Sequence, residues 1–204
     1  MSSESHIAIL ILAAGGSRRM GEPKQLLKWK NTDLVNHAIE TSSQIDSSQI
    51  YLVLGSDAKL IRAGITDKNV TFIINEHWEE GIGSSISSGV KAVKKSNPST
   101  NGILIMLSDQ PLINHDYLNR MVTIWQEGTH QIVASDYADG KFGVPALFGD
   151  RYFNALEKLS DDRGAKIIIK KNFEDVTGLN ARDMILDIDT PEDYAKLRDI
   201  NHQS

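Results

Sequence analysis

The chain has 204 residues, 40% of them hydrophobic and 24% charged, which suits one globular domain with a sizeable core. A formal charge of −5 argues against a general nucleic-acid binder. Cysteine is absent, which excludes disulfides and thiolate metal sites and fits a reducing cytoplasm.

The first predicted strand spans residues 7–12, within an apolar stretch that ends at Ala14. That stretch is too short to cross a bilayer and follows no basic leader, so neither membrane insertion nor export is expected. Further strands are predicted at 49–54, 70–74, 102–107, 131–135 and 146–148, with weaker ones at 173–177 and 184–187. Helical patterns fall at 34–43, 84–95, 116–126, 151–156, 165–170 and 192–199. The alternation predicts a single three-layer α/β domain over residues 1–204, its central strands covered on both faces. Residues 2–5 and 202–204 read as frayed tails.

The loop after the first strand carries the strongest chemical signal. It reads Leu12-Ala13-Ala14-Gly15-Gly16-Ser17-Arg18-Arg19-Met20-Gly21-Glu22-Pro23-Lys24. Gly15, Gly16 and Gly21 allow tight turning and close approach of backbone N–H groups to a ligand. Arg18, Arg19 and Lys24 add positive charge beside those donors, the combination that binds a nucleoside triphosphate. It is not a Walker loop, because Glu22-Pro23 stands where Lys-Ser/Thr should follow Gly21. The dinucleotide fingerprint is also missing; its nearest approach, from Gly81 to Ile86, ends in isoleucine.

A second signal follows the predicted strand 102–107, in Ser108-Asp109-Gln110-Pro111. Asp109 sits where open α/β sheets bind ligands, beyond the carboxyl end of a strand. There it suits a magnesium ligand, and equally the start of a turn before Pro111. Asp187 and Asp189 flank Ile188 and would share one face of a strand. Thr190 reads as an N-cap ahead of Pro191. The serines from Ser84 onward either cap a helix or, as Ser84 and Ser85, meet a base and ribose. The six histidines form no zinc spacing, and no nucleophile elbow occurs.

The loop at 12–24 resembles the signature of the MobA-like nucleotidyltransferases, and within them the molybdenum cofactor cytidylyltransferases. Leu52-Val53-Leu54-Gly55, Gly83-Ser84-Ser85-Ile86, the Asp109-Gln110-Pro111 motif, Gly143-Val144-Pro145, Gly164-Ala165-Lys166 and Asp187-Ile188-Asp189-Thr190 follow in that family's order. The resemblance implies a Rossmann-like sandwich with a mostly parallel mixed sheet. It implies transfer of CMP from CTP to the phosphate of molybdopterin, with Mg²⁺ on Asp109 and Asp187. Residues 12–21 with Lys24, Gly55, Ser84 and Ser85 would bind nucleotide; Arg18 and Lys24 would carry the catalytic charge. Gln110, Pro111, Gly143 and Pro145 would meet the acceptor. The implied recipient of the product is a molybdoenzyme of the xanthine dehydrogenase type or its chaperone. Guanylyl transfer, transfer to a sugar phosphate, and non-catalytic cofactor shielding are the alternatives. Two motifs depart from the family pattern: Val144 replaces a usual histidine, and Lys166 replaces a usual arginine in a segment with an extra acid at Asp161.

Overall fold

The computed structural model describes residues 6–45, 49–138 and 140–202. The tails at 2–5 and 203–204 lie outside them, whereas His202 ends the last helix. The strands are β1 (Ile7–Ala13), β2 (Lys28–Trp29), β3 (Thr32–Asp33), β4 (Gln49–Leu54), β5 (Val70–Ile74), β6 (Gly102–Leu107), β7 (Ile132–Asp136), β8 (Phe142–Gly149) and β9 (Val176–Asn180). The α-helices are α1 (Leu34–Ser43), α2 (Ala58–Gly64), α3 (Ile82–Ser96), α4 (His115–Glu127), α5 (Phe153–Leu156), α6 (Lys166–Lys171) and α7 (Pro191–His202).

Seven strands form one mixed sheet in the order β5-β4-β1-β6-β8-β7-β9, while β2 and β3 make a separate small hairpin. All strand neighbours in the large sheet are parallel except those of β8, which runs against both β6 and β7. This is the expected three-layer α/β/α sandwich. Every residue of β1 is buried, and its side chains alternate between two cores. Ile7, Ile9, Ile11 and Ala13 face the layer that holds Val35 and Ile39 of α1 and Leu118 and Met121 of α4. Ala8, Leu10 and Leu12 face Ile86, Val90 and Val93 of α3 and Ile168 and Ile169 of α6. A Cβ on Gly89 would come within 2.5 Å of the Leu10 side chain, so that glycine sets how closely α3 lies on β1.

Helix starts follow the side-chain chemistry. Asp33 accepts the Asn36 N–H at 2.9 Å to open α1, and Asn114 accepts the Tyr117 N–H at 2.9 Å to open α4. Thr190 and Asp193 exchange reciprocal bonds at the head of α7, with Thr190 N–H donating at 3.0 Å and Asp193 N–H at 3.2 Å. The expected strand at 184–187 is absent. Residues 182–184 form a turn, and Met184 at its end and Ile185 just after it pack against the α1–α4 core. Residues 173–175 form a 3₁₀ turn, so β9 starts only at Val176.

β9 is an edge strand, tied down by Asp175 just before it. The Asp175 carboxylate accepts the Tyr152 hydroxyl at 2.7 Å, the Gln131 N–H at 3.1 Å and an Arg151 N–H at 3.4 Å. Desolvation opposes its charge, but the Tyr152 and Gln131 hydrogen bonds outweigh that and hold it below the usual carboxylate range. A depressed folded pKa contributes stability above the unfolded value, and that stability is lost as pH falls through the folded one. Asp175→Asn should therefore cost about 1 kcal/mol at near-neutral pH, allowing for solvent screening. Urea midpoints of the two proteins should converge as the pH is lowered through the acid range.

Candidate active site

β1 and β6 end side by side, with Leu12 paired to Leu107, so both following loops emerge at one sheet edge. The Ser108 N–H donates to the Leu12 carbonyl at 3.2 Å and ties the two loops together. Within the first loop, buried Gln25 donates its side-chain amide to the carbonyls of Ala13 and Gly15, each at 3.0 Å. Ser17 adopts a left-handed backbone, φ 47°, and its hydroxyl accepts the Lys24 N–H at 3.0 Å. Two internal clasps thus fold the glycine loop back on itself and deliver Lys24 inward.

The Lys24 ammonium donates to Asp109 Oδ2 and, at 2.9 Å, to Asp189 Oδ1. Arg19 closes on the other oxygen of Asp189 at 2.8 Å. Burial disfavours the Lys24 charge, but the Asp109 and Asp189 carboxylates outweigh that and raise its pKa above the usual lysine value. Burial pushes the Asp109 carboxyl above the usual carboxylate range, with Lys24 opposing and Asp187 and Asp189 adding to the rise. For Asp189, desolvation is outweighed by Lys24 and Arg19, which hold its pKa low. The other Asp109 oxygen, Oδ1, is buried and has no hydrogen-bond partner.

Lys24 and Asp109 line a cavity of about 420 Å³ that also takes in Ala14, Gly15, Gly16, Arg18, Gln25, Trp78 and Ser85, whereas Arg19, Asp187 and Asp189 are not part of its wall. Arg18 stands on its rim, 3.5 Å from Glu79. The missing side chain of Gly15 opens onto empty space, which leaves its backbone accessible. Gly16 and Gly55 answer a different demand: a Cβ on either would strike the Trp78 ring system, at 2.9 and 2.5 Å. Gly21 needs its freedom for a φ of 75°.

Other expected contacts lie elsewhere. The Ser84 hydroxyl is engaged inside the protein, donating to the carbonyls of His77 and Gly81, each at 2.8 Å, and accepting from Asn75 at 2.8 Å. Ser84 is therefore neither a helix cap nor open to a ligand, and of the two serines only Ser85 reaches the cavity wall. Met20 packs in the small core of Leu27, Trp29 and Ile188. Pro111 lines a separate cavity, and its carbonyl lies 3.1 Å from His37 Nε2. Gly143 lies under Tyr137, whose hydroxyl is 2.5 Å from where a Cβ would be, and the Pro145 carbonyl accepts the buried Ser135 hydroxyl at 2.7 Å. Gln110 does reach the centre, donating at 2.8 Å to Asp187. Asp187 and Asp189 thus both face the site, though from an irregular segment and not from a strand.

The donor set fits a divalent cation. Asp109 Oδ1 is a buried carboxylate oxygen awaiting a partner, and Asp187 stands close enough to raise the Asp109 pKa. Among the described residues no group of three His, Asp or Glu side chains could hold a metal alone. That suits magnesium, which takes one or two carboxylates and completes its shell with water and substrate phosphates. Charge points the same way, because Glu79, Asp109 and Asp162 line the cavity against Arg18 and Lys24. A triphosphate entering there needs added positive charge.

Sequence reasoning missed Gln25, Trp78, Asn75 and Asp162 as parts of the site, and it noted Asp189 without giving it a role. Of these only Asp189 left a trace, as the acid two residues after Asp187. The ion pair also alters what a simple truncation reports. Lys24→Ala strands Asp109 as a buried, unpaired acid and should cost about 3 kcal/mol. Adding Asp109→Asn should restore much of that loss, as measured by denaturant midpoints of the two variants.

Comparison with known proteins gives the family. The family model for the MobA-like NTP transferase domain matches residues 9–176. Purine catabolism protein PucB of Bacillus subtilis is 31% identical over 93% of this chain and 94% of its own. Nicotine blue oxidoreductase of Paenarthrobacter nicotinovorans is 26% identical over 92% of this chain and 94% of its own. Molybdenum cofactor cytidylyltransferase of Escherichia coli is likewise 26% identical, over 93% and 94%. The crystal structure of Rv0371c from Mycobacterium tuberculosis superposes with a TM-score of 0.83 at 30% identity, covering 96% of this chain and 98% of that one. A manganese complex of the same protein superposes at 0.78 with 28% identity, over 95% of this chain and 98% of that one. With the domain model spanning most of its length, the chain belongs to the MobA-like nucleotidyltransferase family.

Proposed function

We propose that this protein transfers CMP from CTP to the phosphate of molybdopterin, releasing pyrophosphate in a magnesium-dependent reaction. The single observation that carries the reading is the Lys24–Asp109 pair at the floor of the cavity, with Asp109 Oδ1 left unpartnered. Ala14 lines the same cavity, and its methyl limits how closely a base lies on the backbone, as in the cytidylyl form of the family loop. The Escherichia coli relative has the corresponding name, and the purine-catabolism name of the Bacillus relative fits a target enzyme of the xanthine dehydrogenase type.

The acceptor phosphate attacks the α-phosphorus of CTP. A phosphorus–oxygen bond to that oxygen forms as the bond to the β-phosphate bridge breaks, and pyrophosphate leaves with the bonding pair. A phosphate monoester has its second pKa near ~6 and is mostly ionised at neutral pH, so no strong general base is required. What the chain supplies is position and charge. Loop N–H groups around Gly15 and the Arg18 guanidinium bind the triphosphate, and Lys24 turns from the carboxylates toward the charge that develops on it. Asp109 and Asp187 would hold Mg²⁺, which when bound would supply positive charge to the phosphate oxygens. Gln110, bonded to Asp187, presents the acceptor side.

Thermal shifts with CTP, GTP, ATP and UTP, each with and without Mg²⁺, test the nucleotide half. Selective, magnesium-dependent stabilisation by CTP is expected, about 2.7 kcal/mol at one hundred times the dissociation constant. With molybdopterin as acceptor, Asp109→Asn should retain the fold and abolish pyrophosphate release. Normal release from that variant overturns the mechanism, and CTP binding without release from the native protein favours a cofactor-shielding role. Ala14→Gly should shift the ratio of CTP to GTP turnover toward GTP by about tenfold.

A further inference from the structure

Beyond Tyr137 the same sheet edge carries a second cavity, of about 400 Å³, between the turn joining β7 to β8 and helix α6. β7 and β6 both run against β8, so β7 ends at the edge where β1 and β6 end. Both this cavity and the nucleotide cavity lie on the α3–α6 face of the sheet, since Ile82 borders the one, Phe142 borders the other, and both pack on that core.

The walls are aromatic and the rim is basic. Tyr137, Phe142 and Phe173 line it, together with Lys141, Lys166 and Lys170. Phe142 and Phe173 meet edge-on with centroids 5.7 Å apart, and Phe173 is 56% exposed. The Lys166 ammonium lies 5.8 Å over the Tyr137 ring. Among the described residues none of these three lysines is paired with a carboxylate. Aromatic faces take planar rings by stacking, and unneutralised lysines take anions. A bare triphosphate would find cations here but no cradle of glycine-loop N–H groups, which belongs to the other cavity.

Tyr137 connects the two. Its hydroxyl donates to the Val144 carbonyl, which Gln110 also approaches at 3.5 Å while donating to Asp187. An occupant stacked beside Tyr137 is therefore one side chain away from the acceptor side of the centre.

We infer that this cavity seats the ring portion of the phosphorylated acceptor, a planar anionic heterocycle, with its phosphate directed past Tyr137 toward Asp109. The assignment rests on the transferase reading for the identity of the occupant, not for the existence of the subsite.

Pterin-6-carboxylate, a fluorescent planar anion, is the probe, titrated against the full chain with CTP thermal shifts recorded in parallel. Saturable binding is expected, weakened at least about tenfold by Lys166→Ala with Lys170→Ala, and also weakened by Phe173→Ala. Replacing both lysines by arginine should restore it. The CTP shift should stay unchanged in every variant, and in turnover the acceptor KM should rise while the CTP KM holds. Binding equal in all variants, or no saturable binding to the native chain, overturns the subsite whatever CTP does. Loss of the CTP shift alone, with probe binding intact, overturns the transferase reading and leaves the subsite standing.

Discussion

Parallel pairing of β1 with β6 is the constraint on which the rest of the site depends. Because Leu12 lies opposite Leu107, the glycine loop and the Asp109 turn leave the sheet at one level. A slip of one residue would exchange every β1 side chain between the two cores. Both faces of β1 are filled, by Ile9 and Ile11 on one side and Leu10 and Leu12 on the other, so neither core tolerates the exchange. Chemistry at the edge thus inherits its precision from apolar packing well below it. The clasps made by Gln25 and Ser17 then carry that precision the last few ångströms to Lys24.

Within the centre the charges are arranged to wait for a ligand. Lys24 neutralises Asp109 and shares Asp189 with Arg19, which makes a buried ammonium tolerable. Burial of such a pair is costly unless its remaining atoms find partners, and Asp109 Oδ1 has none. The free protein therefore retains an unsatisfied acceptor where a cation would bind. Binding a metal there would release Lys24 from part of its work and free it for phosphate. One lysine can serve both states because its long stem moves more easily than the strand-anchored aspartate.

Much of the sheet was legible in the sequence, and the reasons lie in particular residues. The runs at 49–54, 70–74 and 102–107 matched β4, β5 and β6 because polar turns bound each of them sharply. β8 proved longer than the predicted 146–148: the strand spans Phe142–Gly149 and carries Gly143 and Pro145 within it. α2 escaped notice because it buries only Ile61 and begins after a left-handed Asp57 with no side-chain cap. The loop at 12–24 announced phosphate chemistry through glycine and arginine spacing. Trp78 had no such pattern, because a side chain that covers two glycines leaves no periodic mark in its own neighbourhood.

The two halves of the site differ in how their residues are used, and the departures at 144 and 166 follow from that. Val144 turns its side chain into the core, while its carbonyl serves as the junction for Tyr137 and Gln110. A histidine is not needed at that position for its backbone to do this. Lys166 lies over an aromatic ring, where a cation gains from the ring face without bidentate geometry. Where the family pattern has a polar side chain and a guanidinium fork, this chain offers a backbone carbonyl and a lysine over tyrosine. The glycine loop keeps the pattern of the resembling family, and the departures at 144 and 166 lie on the side proposed for the acceptor. Tyr137 belongs to that side, and its burial raises its pKa well above the usual tyrosine value, so it stays a neutral donor wedged between the cavities. A neutral donor at that place can fix the Val144 carbonyl without adding negative charge to a centre already rich in carboxylates.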